Sequence, residues 1–258
     1  MAKVADNKPV VWIVGAGDAM GMGLARRFAQ GGCQVALTRR QELPLRQQVE
    51  QLRSEGWDAW AFAADARREE QVSSTLLAIE QSCGPIDVLI FNVGANVPCS
   101  ILEETPRKYF KVWEMACFAG FLVSQAVARR MVQRFENDLP LADKGSGTIL
   151  FTGATASLRG RAHFAAFSGA KQALRALAQS MAKELGPRHI HVAHIVIDGM
   201  VDSGFIRSQF ADVHAERMAQ EGILHPEHVA EAYWQLYCQP RAAWTFELDV
   251  RPWMEPWT

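Results

Sequence analysis

The sequence predicts a doubly wound, Rossmann-type α/β protein built on one parallel sheet, and three observations carry that expectation. Short, continuously apolar runs alternate with helix-period segments along the whole chain, the pattern of βαβ units. The first run, Val11-Trp12-Ile13-Val14, reads as a strand buried on both faces and breaks into Gly15, Gly17, Gly21 and Gly23. Beyond it Leu24 and Phe28, and likewise Ala25 and Ala29, recur four apart, so a helix opens out of the glycine turn. A strand ending in such a turn presents free backbone N–H groups and the positive end of a helix dipole, which favours a phosphate or pyrophosphate. The other reading of the same residues is a tight turn that simply needs glycine.

The remaining elements follow in order. Gln34–Thr38 is a second strand, followed by Arg39 and Arg40, and a helix from about Pro44 to Glu55 carries proline in its first turn. Asp58–Ala63 is a third strand, ending at Asp65. Arg68–Ser82 is a helix with Val72, Leu76 and Ile79 on one face. Ile86–Phe91 is a fourth strand running into Asn92-Val93-Gly94. Thr105-Pro106 has the form of an N-cap with proline at the first helical position, and the helix continues, bent, to about Phe135. The stretch from Glu136 to Gly145 is a polar loop, and Gly147–Thr152 a fifth strand. Ala170, Ala173, Leu174, Leu177, Ala178 and Met181 then form an amphipathic stripe that stops at Gly186-Pro187. Ile190–Ile197 is the sixth strand, and 199–224 lacks a strong period and reads as a mobile, substrate-side segment. A helix starts at His225-Pro226-Glu227, and Trp244–Val250 is the final strand. No repeat or linker interrupts the pattern, so residues 1–258 are expected to form a single domain.

Composition narrows the function. With 49% apolar and 21% charged residues the 258-residue chain is ordinary globular protein. A net charge of -1 argues against nucleic acid or an anionic membrane as partner. No apolar run approaches the ~18 residues of a membrane span. The N-terminal residues Met1 to Lys8 have no signal-peptide core. Cys33, Cys83, Cys99, Cys117 and Cys238 are scattered and odd in number, which points to free thiols and a cytoplasmic protein.

From Gly17 the chain reads G-x-x-x-G-x-G through Gly21 and Gly23, whereas G-x-G-x-x-G from Gly15 would need glycine where Met20 stands. The first spacing resembles the cofactor turn of the short-chain dehydrogenase/reductase family, and the resemblance extends over nearly the whole chain. It implies that Gly17, Ala19, Met20, Gly21, Met22 and Gly23 meet the cofactor. Asn92-Val93-Gly94 sits where the family has Asn-Ala-Gly, beside the adenosine. Asp65, with Ala66, sits where the family's Asp contacts adenine; a helix N-cap is the alternative. Asp198-Gly199-Met200-Val201-Asp202-Ser203 corresponds to Pro-Gly-x-x-x-Thr, keeping Gly199 and a hydroxyl at Ser203 near the nicotinamide amide, and losing the proline.

Cofactor choice turns on Arg39 and Arg40, about 20 residues past the glycine turn, where an NAD site normally has a carboxylate. Two guanidinium groups offer bidentate recognition of a 2′-phosphate, so NADP(H) is expected over NAD(H). Two solvated arginines at a helix start are the alternative.

The family's catalytic pattern is a Tyr-x-x-x-Lys pair on one helix face, where the ammonium lowers the phenol pKa, with a serine upstream and an asparagine on the preceding helix. Lys171 fits the lysine, which also holds the nicotinamide ribose. Four residues before it stands Phe167. The serine position falls on Ala154 with Thr155 beside it, and the asparagine position on Cys117. The expected activity is hydride transfer to or from a small carbonyl, imine or enone, with a proton from Thr155, Ser168, His163, Cys117, water or the substrate. A silent NADP(H)-binding sensor or partner protein and a non-redox enzyme are the other readings. No metal is expected: His225 and His228 begin a helix and lack a third ligand, and His191 and His194 point to opposite faces of a strand. The family resemblance also implies a homodimer or homotetramer. The apolar tail Trp253–Trp257 either seals that interface or packs on its own domain.

Overall fold

The computed structural model describes residues 8–137 and 145–256. The N-terminal stretch, most of the loop after Glu136, and Trp257 therefore lie outside the described residues. Seven parallel strands form one sheet in the order β3-β2-β1-β4-β5-β6-β7. β1 (Val10–Val14) sits inside it, pairing with β2 (Gln34–Thr38) on one side and β4 (Ile86–Phe91) on the other. All five β1 residues are buried, as the continuous apolar run requires. The chain winds outward from β1 through β2 to β3 (Ala59–Ala61). It then crosses back to β4 and proceeds through β5 (Gly147–Thr152), β6 (Ile190–Ile197) and β7 (Glu247–Val250). That reversal places a topological switch point between β1 and β4, where open α/β sheets form a crevice at the carboxyl ends of their strands.

Each face of the sheet carries its own apolar layer. On one, Leu24 and Phe28 of α1 (Met20–Gln30), Leu45 and Leu52 of α2 (Glu42–Ser54), and Val229 and Tyr233 of the late helix Pro226–Tyr237 pack together. On the other, Ile79 of α3 (Glu69–Cys83) joins Val123 and Val127 of the long middle helix and Leu174 and Ala178 of the helix after β5. The middle helix has three parts: α4 (Pro106–Trp113), a π-helical turn (Glu114–Phe118) and α5 (Ala119–Asn137). The expected bend is this π turn, a feature that often marks functional sites. Thr105 caps α4 by accepting the Lys108 N–H at 3.2 Å. Against the expectation of no span-length apolar run, Pro106–Glu136 is long and apolar enough to cross a membrane by length and composition. Leu122, Val123, Val127 and Met131 instead face the sheet in the core, which accounts for its apolar content.

Two strands are shorter than the sequence suggests. β3 pairs only over Val35–Leu37 with Ala59–Ala61, and β7 begins at Glu247. Both are edge strands with a neighbour on one side only, and Trp244 instead stacks on His191 with ring centroids 4.9 Å apart. The larger correction is at 199–224. The segment folds into α7 (Gly204–Gln209) and α8 (Ala211–Ala219), and the Val201–Leu224 bridge ties its ends. Both helices bury no residue, so there was no apolar stripe to read. The final helix, α9 (Pro226–Tyr237), begins as expected with Pro226 at its first turn, and α6 (Ala165–Leu185) ends at Gly186.

Candidate active site

A cleft of about 430 Å³ opens at the carboxyl ends of β1, β2 and β4, the switch point of the sheet. Its floor is Gly15-Ala16-Gly17. Gly15 has φ +90°, and a Cβ there would lie 2.6 Å from the Asn92 carbonyl oxygen, so the close approach of β1 to β4 demands glycine. The Asn92 side chain closes the same contact, donating to the Gly15 carbonyl at 3.0 Å. Beside Gly17, by contrast, a Cβ would meet nothing within 4 Å, so the backbone there is open to a ligand. The Ala19 N-cap contributes no side-chain hydrogen bond to the first turn of α1. Met22 and Gly23 donate to the Gly17 and Ala19 carbonyls at 3.2 and 2.9 Å, and the Met20 and Gly21 N–H groups have no such partner among the described residues. Ala19, Met20, Gly21, Met22 and Gly23 do not line the cleft. Gly21 and Gly23 serve packing, since Cβ atoms would fall 2.6 Å from Ala16 Cα and 2.9 Å from the Pro226 carbonyl oxygen.

Arg39 and Arg40 stand on the rim where β2 ends. Arg39 is not free: Nη1 pairs with Asp18 at 2.7 Å and Nη2 donates to Gln41 at 3.1 Å. The Asp18 side chain is 81% exposed, so this pair is weak in water and open to exchange. Asp65 and Ala66 line the cleft after β3, but Asp65 is not the N-cap of α3, which is Arg68. The Asp65 carboxylate is held by Arg67, with Nη2 at 2.5 Å and Nε at 2.9 Å, and these bonds keep its pKa below the usual carboxylate value. Arg67 also reaches Glu114 of the π turn at 3.1 Å. Val93 and Gly94 complete the predicted lining, while Thr38, Gln41, Arg67 and Met115 line it without having been anticipated. Of these, Arg67 had a readable signal, because an Asp two residues before an Arg favours a local turn pair.

Lys171 is 2% exposed, which excludes a solvated helix lysine. Its Nζ donates to the Thr152 carbonyl at 2.7 Å and the Val93 carbonyl at 3.0 Å, tying β5 to the end of β4. Burial pushes its pKa down to about 8, against an opposing attraction from the Cys117 sulfur. Cys117 is buried in the π turn, and the same burial raises its thiol pKa. Phe167 is 8% exposed, packs with Val112, Ala156 and Ala170, and has its ring centroid 5.9 Å from Lys171 Nζ. Ser168 is buried with no hydrogen-bond partner for its hydroxyl among the described residues, and His163 is exposed with φ +67°. The Thr155 hydroxyl donates to Asp198. Ser203 spends its hydroxyl on capping α7, accepting the Ile206 N–H at 3.3 Å. Gly199 is covered by the Pro252 ring, which would meet a Cβ at 2.7 Å. Among the described residues no cluster of three metal-ligating side chains occurs.

A doubly wound sheet with a glycine-floored, arginine-rimmed cleft at its switch point defines a nucleotide-binding α/β protein. Comparison with known proteins gives the family. The short chain dehydrogenase profile matches residues 9–214, and the chain belongs to that family. A solved short-chain dehydrogenase from Rhodopseudomonas palustris is 43% identical, with a TM-score of 0.77 over 95% of this chain and 99% of that one. The 2,3-dihydro-2,3-dihydroxybenzoate dehydrogenase of Bacillus subtilis is 26% identical across 86% of this chain and 81% of its own. The human dehydrogenase/reductase SDR family member 4 is 25% identical across 83% and 73%. An actinorhodin polyketide ketoreductase solved with NADPH, 23% identical with a TM-score of 0.85 over 97% and 98%, shares the fold. Short-chain dehydrogenases are oxidoreductases that bind a nicotinamide cofactor, and this protein is of that kind.

Proposed function

We propose that this protein is an NADP(H)-dependent oxidoreductase that passes hydride to or from a small carbonyl, imine or enone, through a site in which Phe167 takes the place of the family's tyrosine. The observation that carries the reading is the charge of the cleft. Among the described lining residues stand three arginines, Arg39, Arg40 and Arg67. Arg67 is held by Asp65 and Glu114, whereas Arg39 pairs with the exposed, exchangeable Asp18. Arg39 and Arg40 therefore carry the positive charge that a phosphate-rich ligand would meet, and guanidinium pairs recognise a 2′-phosphate by bidentate hydrogen bonds. The open backbone at Gly17 and the uncapped start of α1 fit a pyrophosphate. When bound, the nicotinamide supplies the hydride donor or acceptor.

The chain's own residues set the rest. Lys171 uses two of its three N–H donors on backbone carbonyls, which leaves one for a ligand hydroxyl. Phe167 neither holds nor releases a proton, and loss of a positioned general acid costs about 10² to 10⁴ in rate. The proton therefore comes from another group, and an imine or activated alkene places less demand on it than a ketone. The same reading takes the protein as a cytoplasmic homodimer or homotetramer. Cys33, Cys83, Cys99, Cys117 and Cys238, none in a disulfide among the described residues, support a reducing compartment, and light scattering measures the assembly.

Calorimetric titration with NADPH and NADH at matched ionic strength tests the reading. The expected result is NADPH binding at least tenfold tighter, or about 1.4 kcal/mol. NADH-selective binding would transfer the ribose hydroxyls to Asp18 and overturn the NADP(H) assignment. Binding of neither removes the oxidoreductase.

A further inference from the structure

At the carboxyl end of β6 the chain places a buried carboxylate, Asp198, where the family resemblance leads one to expect a proline. Asp198 is 1% exposed. The Thr155 hydroxyl donates to its Oδ1. Its Oδ2 lies 2.9 Å from Arg251 Nη2 as an ion pair, yet accepts no hydrogen bond among the described residues. Arg251 instead directs its fork to Asp249, with Nε–Oδ1 at 2.9 Å and Nη2–Oδ2 at 2.8 Å. Two carboxylates thus share this guanidinium, and Asp198 keeps uncompensated acceptor capacity where water is scarce.

A hydroxyl has one hydrogen. With that hydrogen donated to Asp198, Thr155 Oγ1 offers a ligand lone pairs only. A ligand atom that meets it must bring its own proton, as an alcohol oxygen does and a ketone oxygen does not. Thr155 is half-buried. It lies three residues beyond Thr152, whose carbonyl accepts from Lys171, and its neighbour Ala156 packs in the same apolar cluster as Phe167.

We propose that Thr155, backed by Asp198, accepts the proton of a substrate hydroxyl, so that the site takes a secondary alcohol as its reduced substrate. This rests on the hydride-transfer reading of the site. The alcohol O–H bond breaks and its proton moves to Thr155 Oγ1, while the Thr155 proton passes to Asp198 Oδ1. The carbinol C–H bond breaks in the same event, and its hydrogen leaves with the electron pair as hydride to the oxidised nicotinamide, giving a ketone and a neutral Asp198. Reduction runs the same transfers backwards. Thr155 is the catalytic residue in this scheme, and Asp198 and Arg251 are positioning residues that act through it.

The test uses the full-length protein labelled with ¹³C at its aspartate carboxyls, the Asp198 resonance being assigned by its loss in Asp198→Asn. Three matched pairs serve as probes: 2-butanol and butanone, cyclohexanol and cyclohexanone, 1-phenylethanol and acetophenone, each with and without NADP⁺. At least one alcohol is expected to move the Asp198 resonance saturably, with its ketone partner binding about tenfold weaker or more. Thr155→Val should abolish the response and Thr155→Ser restore it, and oxidation of the responding alcohol should fall about 10²-fold in Thr155→Val. Should Asp198→Asn not fold, the shift caused by Thr155→Val gives the assignment. A ketone response as strong as the alcohol's, no response to any alcohol, or an unchanged response in Thr155→Val overturns the proposal. NADPH titration separates the two readings: binding without an alcohol response removes this inference alone, and an alcohol response without NADPH binding removes the cofactor assignment alone.

Discussion

The strands on the two sides of the sheet end in different chemistry along one edge. At β1, β2 and β4 the carboxyl ends enclose a cleft whose polar groups face outward, with a bare backbone at Gly17 and arginines on the rim. Across β6, β7 and the segment after β6, charged groups pair with one another from mid-strand outward, while Asp198 Oδ2 accepts no hydrogen bond among the described residues. Glu247 holds Arg175 through two bonds, at 2.5 and 2.7 Å, and lies 3.0 Å from His194 Nδ1. Burial pushes that histidine down to about 4, so it stays neutral near pH 7. Asp202 holds Arg207 at 2.7 Å and His214 at 2.9 Å, and the hydrogen bonds from Arg207 and then His214 bring its pKa to about 2. Cofactor-type binding needs only backbone donors and excess positive charge, which many sequences supply. The β5–β7 side instead carries paired charges, such as Arg175 with Glu247 72 residues away, with Phe167 on the same helix, α6, as Arg175.

The largest effect expected to break that contrast is Phe167→Tyr. On the proposed reading, placing a phenol one helical turn before Lys171 should raise NADPH-dependent reduction of cyclohexanone by about 10² or more. An unchanged rate with NADPH affinity intact would show that a phenol at this position is not what separates the two sides. Next in size is Gly15→Val, which forces a side chain to φ +90° and against the Asn92 carbonyl. It should cost roughly 2–4 kcal/mol in urea unfolding. Gly17→Ala sharpens the point: with open space around it, stability should change by no more than about 0.5 kcal/mol while NADPH affinity falls. Equal stability losses in the two variants would contradict a ligand-facing Gly17. Smaller again is Arg39→Asp, for which removal of a charged hydrogen-bond donor, worth about 1.5–3 kcal/mol, should weaken NADPH by about 10- to 100-fold and NADH little. An unchanged NADPH-to-NADH ratio would leave phosphate recognition to Arg40.

A further effect, read against pH, concerns Lys171. Folded, it loses its proton near pH 8, whereas the unfolded chain keeps it to about 10.5. Between these values the unfolded state binds more protons, so this group's contribution to stability rises with pH, by at most about 1.4 kcal/mol per unit. Below pH 8 the burial penalty is fully present. The stability of the wild type relative to Lys171→Met should therefore increase between about pH 8 and 10, read from urea midpoints. A flat difference would mean that the ammonium is better solvated than its 2% exposure implies.

Where the sequence was readable, the reason is local. β1 is an unbroken apolar run because both faces are covered, and the Thr105-Pro106 start of α4 is a cap visible in adjacent residues. The offset of Arg39 and Arg40 from the glycine turn follows from one β–α–β length, so their place on the rim was legible. The pairing of Arg39 with Asp18, 21 residues away, was not, because side chains choose among several partners once the loops are folded. The helices α7 and α8 escaped notice because they bury nothing and so impose no period.

The amino-acid order by itself determined the alternation of elements, the parallel sheet and the glycine turn at its switch point, since each depends on periodicity or on backbone freedom over a few residues. Only the tertiary structure decided that Lys171 lies buried between Val93 and Thr152, 78 and 19 residues away, and that Thr155 meets Asp198 across 43. Those contacts exist because parallel pairing brings the ends of β4, β5 and β6 side by side, a proximity that no local pattern in the chain encodes.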